Sequence, residues 1–184
     1  MCNTPFVFLK KQLFLDKYNP NRNVEEALSN SFAAALQHNK LYDFDTSEGR
    51  KKEIRGFCGS EILRLSQKYV NDVSVEDFEQ DILDLRSSMN DKYQDYFDKE
   101  GFKISHSQKS LSVFLKIQWV NRKLKMPPLC PVDRTILIVA GEKYPDAWTH
   151  INTMPEYRRL IRILKHAAYN HTCKNLACWE LCNF

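Results

Sequence analysis

Apolar side chains recur at intervals of three and four along nearly the whole chain, the spacing that lays them on one face of an α-helix. The clearest run is Val75, Phe78, Ile82, Leu85, Met89, Tyr93 and Tyr96, and Ser74, with Asp77 three residues on, supplies its N-cap. A second stripe, Tyr157, Leu160, Ile161, Leu164, Ala167 and Ala168, opens at Thr153 and Glu156, which have capping-box spacing. Pro155 falls in its first turn, where a missing N–H costs little. Between Ser107 and Lys125, Leu111, Val113, Phe114, Leu115, Ile117, Trp119 and Val120 cover most of a helix circumference, which predicts a central element buried on several sides. Further helices are expected at about 5–17, 24–39, 47–70, 133–142 and 174–182. Breaks fall at Asn19 to Asn21, Asp43 to Ser47, Gly101 and Met126 to Pro131. The β-branched run Thr135 to Val139 competes with helix there, but no partner strand is evident. The pattern predicts an all-α fold, one compact multi-helix domain over residues 1–184 that opens on a helical hairpin.

Composition agrees with that reading. A chain of 184 residues matches one domain and buries roughly 70% of its unfolded surface. Apolar residues at 43% and charged residues at 27% exclude collagenous, low-complexity and broadly disordered classes. No apolar run approaches the ~20 residues of a membrane span. Lys10 and Lys11 interrupt the most hydrophobic N-terminal stretch, Phe6 to Leu15, so neither a membrane anchor nor a secretory signal is expected.

The six cysteines are irregularly spread and contain no C-x-x-C pair, which reads as reduced thiols in a cytoplasmic protein. His171, Cys173, Cys178 and Cys182 offer zinc-compatible ligands near the C-terminus. Cys178 and Cys182, however, share a helix face at i, i+4 beside Leu176, Trp179 and Leu181, so core-facing thiols are the preferred reading. No metal and no cofactor is expected. Walker, G-x-G-x-x-G, H-E-x-x-H, G-x-S-x-G and kinase signatures are missing, which removes the common nucleotide and hydrolase classes.

The net charge is only +4, but it is unevenly distributed. Residues 105–184 carry 12 Lys and Arg against 5 Asp and Glu, whereas residues 71–100 carry 3 against 10. A basic C-terminal part facing a polyanion such as DNA follows from that placement, with Arg158, Arg162 and Lys165 on one helix face as contact candidates. The acidic 75–100 segment is left to face water or a protein partner.

One local constellation bears on chemistry. His106, Ser107, Gln108 and Lys109 open the apolar helix, and Pro127, Pro128 and Pro131 stiffen the loop beyond it. Val132 and Asp133 then lead into the next helical run. This order resembles the helix-hairpin-helix superfamily of DNA glycosylases over about residues 105–140. There a Lys near a helix start is followed by an apolar run, a Gly/Pro-rich loop and a Pro-Val-Asp before another helix. The resemblance implies a DNA-directed protein that excises a modified or damaged base, with Asp133 stabilising an oxocarbenium-like transition state and Lys109 as the amine nucleophile, Lys116 second. It further implies phosphate contacts from His106, Ser107 and Arg134, and stacking of a flipped base on Trp119 or Phe57. From the residues alone, Asp133 reads first as an ordinary N-cap serving Thr135 or Ile136, a role compatible with catalysis. The alternative function is a non-catalytic α-helical module that binds nucleic acid or protein.

Overall fold

The computed structural model describes residues 4–170 and 175–183. Among them are the helices α1 (Pro5–Tyr18), α2 (Val24–Leu36), α3 (Glu48–Ser66), α4 (Val75–Tyr93), α5 (Ile104–Val120), α6 (Arg134–Val139), α7 (Met154–Asn170) and α8 (Leu176–Asn183). Short 3-10 segments lie at Gln67–Val70, Gln94–Tyr96 and Pro145–His150. No strand occurs among the described residues; one isolated antiparallel bridge joins Tyr42 and Phe97. The all-α architecture follows from the sequence pattern, and so do most of the helix starts. Thr4, Asn23, Ser47 and Ser74 each accept a backbone N–H of their own helix's first turn. Glu156 accepts the Thr153 N–H at 2.9 Å and closes the expected box at α7.

Helix α5 is the axis of the molecule. Every one of its residues except Val113 is buried, and α1, α2, α3, α4 and α7 all touch it. Helix α2 makes the most extensive contact with it, and its buried face carries the small residues Ala27, Ser31 and Ala35, which admit close approach. The predicted stripe of α4 (Phe78, Ile82, Leu85, Met89, Tyr93) enters the same core. Its acidic character is partly consumed inside the fold: Glu79 pairs with Arg158, and buried Asp81 pairs with Lys68 and accepts from the Tyr69 hydroxyl.

Two boundaries differ from the sequence pattern, for local reasons. The central helix begins at Ile104 rather than Ser107, because His106 Nδ1 accepts the Lys103 backbone N–H at 3.1 Å and so caps a turn of polar residues. It ends at Val120, where Arg122 takes a left-handed φ of 60°. The Arg122 and Lys123 N–H groups then close a Schellman pattern onto Trp119 and Gln118. The run Thr135 to Val139 is helical, within α6. Asp133 caps it at one end, and at the other Gly141, at φ 79°, lets the Glu142 N–H return to Leu137 O.

The early start of α5 buries His106 completely. Its Nε2 lies 3.4 Å from Asn39 O, and desolvation, with Lys103 adding a like charge, lowers its pKa to about 4. The unfolded imidazole, near 6.5, therefore takes up its proton first as the pH falls, so stability is full above about 6.5 and drops as the pH descends towards 4. The His106 contribution to that drop should be about 3 kcal/mol. Chemical denaturation of native protein and His106→Gln at pH 7 and pH 5 should show a shallower loss in the variant. Equal slopes would remove His106 as the cause.

Candidate functional site

Two devices bring Lys109 to Asp133 across 24 positions of sequence. The buried Gln108 amide clamps the backbone of Val132, its Nε2 donating to Val132 O at 2.9 Å and its Oε1 accepting from Val132 N–H at 3.1 Å. This bidentate grip on the proline-stiffened loop leaves the next residue, Asp133, beside the next residue of the helix, Lys109. Asp133 then divides its carboxylate: Oδ1 caps α6 by accepting the Ile136 N–H at 3.0 Å, and Oδ2 accepts a hydrogen bond and ion pair from the Lys109 ammonium. Capping and pairing are thus compatible, and both orient the carboxylate. Burial on its own would raise the Asp133 pKa, but the charge and hydrogen bond of Lys109 and the Ile136 N–H outweigh it and hold the group below the usual aspartate value. Asp133 is an anion at neutral pH.

Gln108 was not singled out by sequence reasoning, since an amide at the start of a buried helix carries no signature of its partner. Gln108→Ala removes two buried hydrogen bonds and orphans the Val132 amide, so it should cost about 2–4 kcal/mol. The check is denaturant titration, with amide exchange at Val132 and Asp133 rising above that of α5.

Lys109 and Asp133 open into a cleft of about 320 Å³ lined by five helices and the loop, α6 contributing Thr135. Helix α1 contributes Phe14, Lys17 and Tyr18; α2 contributes Asn30, Ala33 and Ala34, and Gln37 follows as its C-cap. One and two turns beyond Lys109, α5 presents Val113 and Lys116, since residues three, four and seven apart share a helix face. Helix α8 supplies Glu180, whose carboxylate meets Lys116 at 2.7 Å with both side chains only 2% exposed. The Trp148 ring centroid lies 5.9 Å from the Lys109 Nζ. Burial lowers the Lys116 pKa and raises that of Glu180, each opposed by its partner's charge. Three cations, Lys17, Lys109 and Lys116, and two anions, Asp133 and Glu180, thus belong to one cleft.

Comparison with family models, with curated proteins and with solved structures gives no match. The chemistry of the site therefore rests on the side chains themselves.

Several candidates from the sequence do not belong to this cleft. His106 and Ser107 are wholly buried, and their polar atoms turn inward: His106 binds the Lys103 N–H and Ser107 Oγ donates to Lys103 O, so neither meets a phosphate. Trp119 sits at the far end of α5 with the Lys11 ammonium 4.6 Å from its ring centroid. Phe57 packs edge-on against Tyr93 with Lys92 over its face. Neither lines the cleft; its aromatic surfaces are Phe14 and Tyr18, whose centroids lie 5.1 Å apart. Arg134 is exposed next to Asp133, and Arg162 and Lys165 are exposed on α7. Arg158, also exposed, spends its charge on Glu79 at 2.6 Å.

The cysteines need a correction. Cys58 and Cys130 are buried free thiols, but Cys178 is disulfide-bonded, so the uniform reduced-thiol reading fails there. His171 and Cys173 lie outside the described residues. Among the described residues no group of three His, Cys, Asp or Glu side chains is disposed to hold a metal, and no helix is long and apolar enough to cross a membrane. Cys58, pushed up to about 12 by burial, and Cys130, raised by the same cause, are poor nucleophiles. The amines at the cleft are those of Lys17, Lys109 and Lys116.

Proposed function

We propose that this protein is a DNA N-glycosylase that removes a modified base, with Lys109 as nucleophile and Asp133 as the anion facing the sugar. One observation carries the reading: an amine and a carboxylate 24 residues apart share a hydrogen bond at a cleft large enough for a nucleobase. Cleavage of an N-glycosidic bond builds positive charge on C1′ and O4′, and a rigidly oriented, ionised carboxylate lowers that barrier more than a mobile one would. As the bond breaks, the base leaves with the electron pair and takes a proton from Lys109, whose nitrogen then bonds to C1′. Opening of the C1′–O4′ bond, with O4′ taking a second amine proton, leaves an iminium that borohydride reduces to a permanent link. A base within a duplex must leave the stack to reach this cleft, whose wall includes the aromatic side chains Phe14 and Tyr18. Exposed Lys17 at the cleft and Arg134 beside it supply positive charge for the flanking phosphates.

The test uses the full chain and duplexes carrying single deaminated, oxidised or alkylated bases, with alkali treatment to reveal abasic sites and borohydride to trap the adduct. Scission and a trapped complex are the expected results. Salt-dependent DNA binding with neither product would favour the non-catalytic helical module instead.

A further inference from the structure

The outer face of α1 is apolar where a surface helix is ordinarily polar. Its inner face sends Val7, Phe14 and Leu15 into the core, where the helix packs on α5 and α8. Phe6, Leu9 and Leu13, at i, i+3 and i+7, form a stripe on the opposite side, and each is 55–57% exposed. Phe8, on the flank towards Arg122, is equally exposed. Single exposed hydrophobics need no account, but three in register on one helix with a fourth on its flank mark a contact surface. Cations accompany them. The Lys10 ammonium lies 5.8 Å from the Phe6 ring centroid, and the Arg122 guanidinium lies 6.0 Å from that of Phe8. Lys17, seven residues past Lys10, continues the same flank of the helix. The one acid of α1, Asp16, is held by Arg22 in an ion pair. The result is an apolar ridge edged with positive charge, whose own anion is already paired.

We infer that α1 is an interfacial helix that seats the protein on an anionic lipid bilayer. Phe6, Phe8, Leu9 and Leu13 enter the acyl boundary, and Lys10, Lys17 and Arg122 meet lipid phosphates. The inference does not depend on the glycosylase reading. At 14 residues the helix is too short to cross a hydrocarbon core of about 30 Å, so it lies on the surface. The lysines that interrupt the apolar stretch Phe6 to Leu15 oppose a spanning segment, yet they are what an interfacial helix requires. Charge selects among the occupants. A second copy docked through the same face sets Lys10, Lys17 and Arg122 against their own counterparts, with no unpaired carboxylate on the ridge to meet them. A nucleic acid offers phosphates but nothing that covers this row of phenyl rings and leucines. An anionic bilayer supplies acyl chains and phosphates together, and its plane receives a convex ridge that a protein partner takes only in a matching groove.

The experiment sediments the full-length protein with vesicles of phosphatidylcholine alone or mixed with phosphatidylglycerol, at low and high salt, and follows its mass without lipid by light scattering. Native protein should partition onto the mixed vesicles, stay in solution with the neutral ones, and be released by salt. Phe6→Ser with Leu9→Ser and Leu13→Ser should lower the partition coefficient at least about 100-fold. These side chains are more than half exposed, so the variant should melt as the native protein does. Lys10→Gln with Arg122→Gln should lower it about 30-fold, a factor of about five for each cation near an anionic surface. This second variant answers independently of how the first one folds. Unchanged partition in either variant overturns the inference, since the lipid contact then lies on another surface such as the basic face of α7. Equal partition onto neutral vesicles also overturns it. Native protein that binds neither vesicle overturns it and leaves the ridge to a protein partner of opposite charge. A lipid-free dimer that falls to monomer in the apolar variant overturns it in favour of a second copy.

Discussion

Duplex DNA with a preformed abasic site, treated with borohydride in the presence of Lys109→Gln protein, should yield no covalent adduct, a loss of at least about 1,000-fold against the native chain. Glutamine keeps a donor for Asp133 Oδ2 and most of the side-chain length, so the cleft and the α6 cap stay in place while the amine proposed as nucleophile is gone. The companion variant separates the two duties of Asp133. Asparagine caps helices about as well as aspartate, so Asp133→Asn should leave the Ile136 hydrogen bond intact. It removes only the negative charge. Base release should then drop by about 100- to 1,000-fold, the range expected when one preorganised electrostatic group is lost. If Asp133→Asn releases base at the native rate, Asp133 is a cap and nothing more. If Lys109→Gln still forms an adduct, another amine attacks, and Lys116 on the same face of α5 is the first to examine.

The parts of this arrangement that were legible in the sequence are those governed by local spacing. The α4 and α7 stripes, their caps and the buried character of α5 all follow from a period of 3.6 residues and from side chains that satisfy helix ends. The pairing of Lys109 with Asp133 was accessible through the order of residues around it, because a helix start, a proline-rich loop and a capping aspartate are themselves local signals. Glu180 was not legible. It stands in an otherwise apolar stretch of α8, and its partner Lys116 lies 64 positions away. A lysine within a helix buried on nearly every side does demand a buried anion, but periodicity cannot say which. The same limit explains why the aromatic candidates lie away from the cleft. The pattern established that Trp119 and Phe57 lie on helices, but not which neighbour each faces, and the aromatic side chains that line the cleft, Phe14 and Tyr18, come instead from α1. His106 and Ser107 were assigned to an exposed helix start because the pattern begins α5 three residues late. The true first turn consists of polar residues whose hydrogen bonds are internal.

Breaking the Lys116–Glu180 pair from one side should be the most destabilising conservative change in the molecule. Lys116→Met leaves a carboxylate buried without its counter-charge, and Glu180→Met leaves an ammonium in the same position; each should cost about 3–5 kcal/mol. For a domain of this size that corresponds to a fall in melting temperature of roughly 10 °C. The double variant should recover most or all of the loss, because two thioether side chains of similar volume need no solvation. Direction with pH gives an independent check. Burial raises the Glu180 pKa above its unfolded value, so protonation at low pH relieves an unpaired Glu180. The Lys116→Met protein should therefore regain stability relative to native as the pH falls from neutrality through the ordinary carboxylate range. Chemical denaturation of the four proteins at pH 7 and pH 5 completes the cycle. Additive single costs, with no recovery in the double variant, would show that the two side chains act independently and that the 2.7 Å contact carries no coupling.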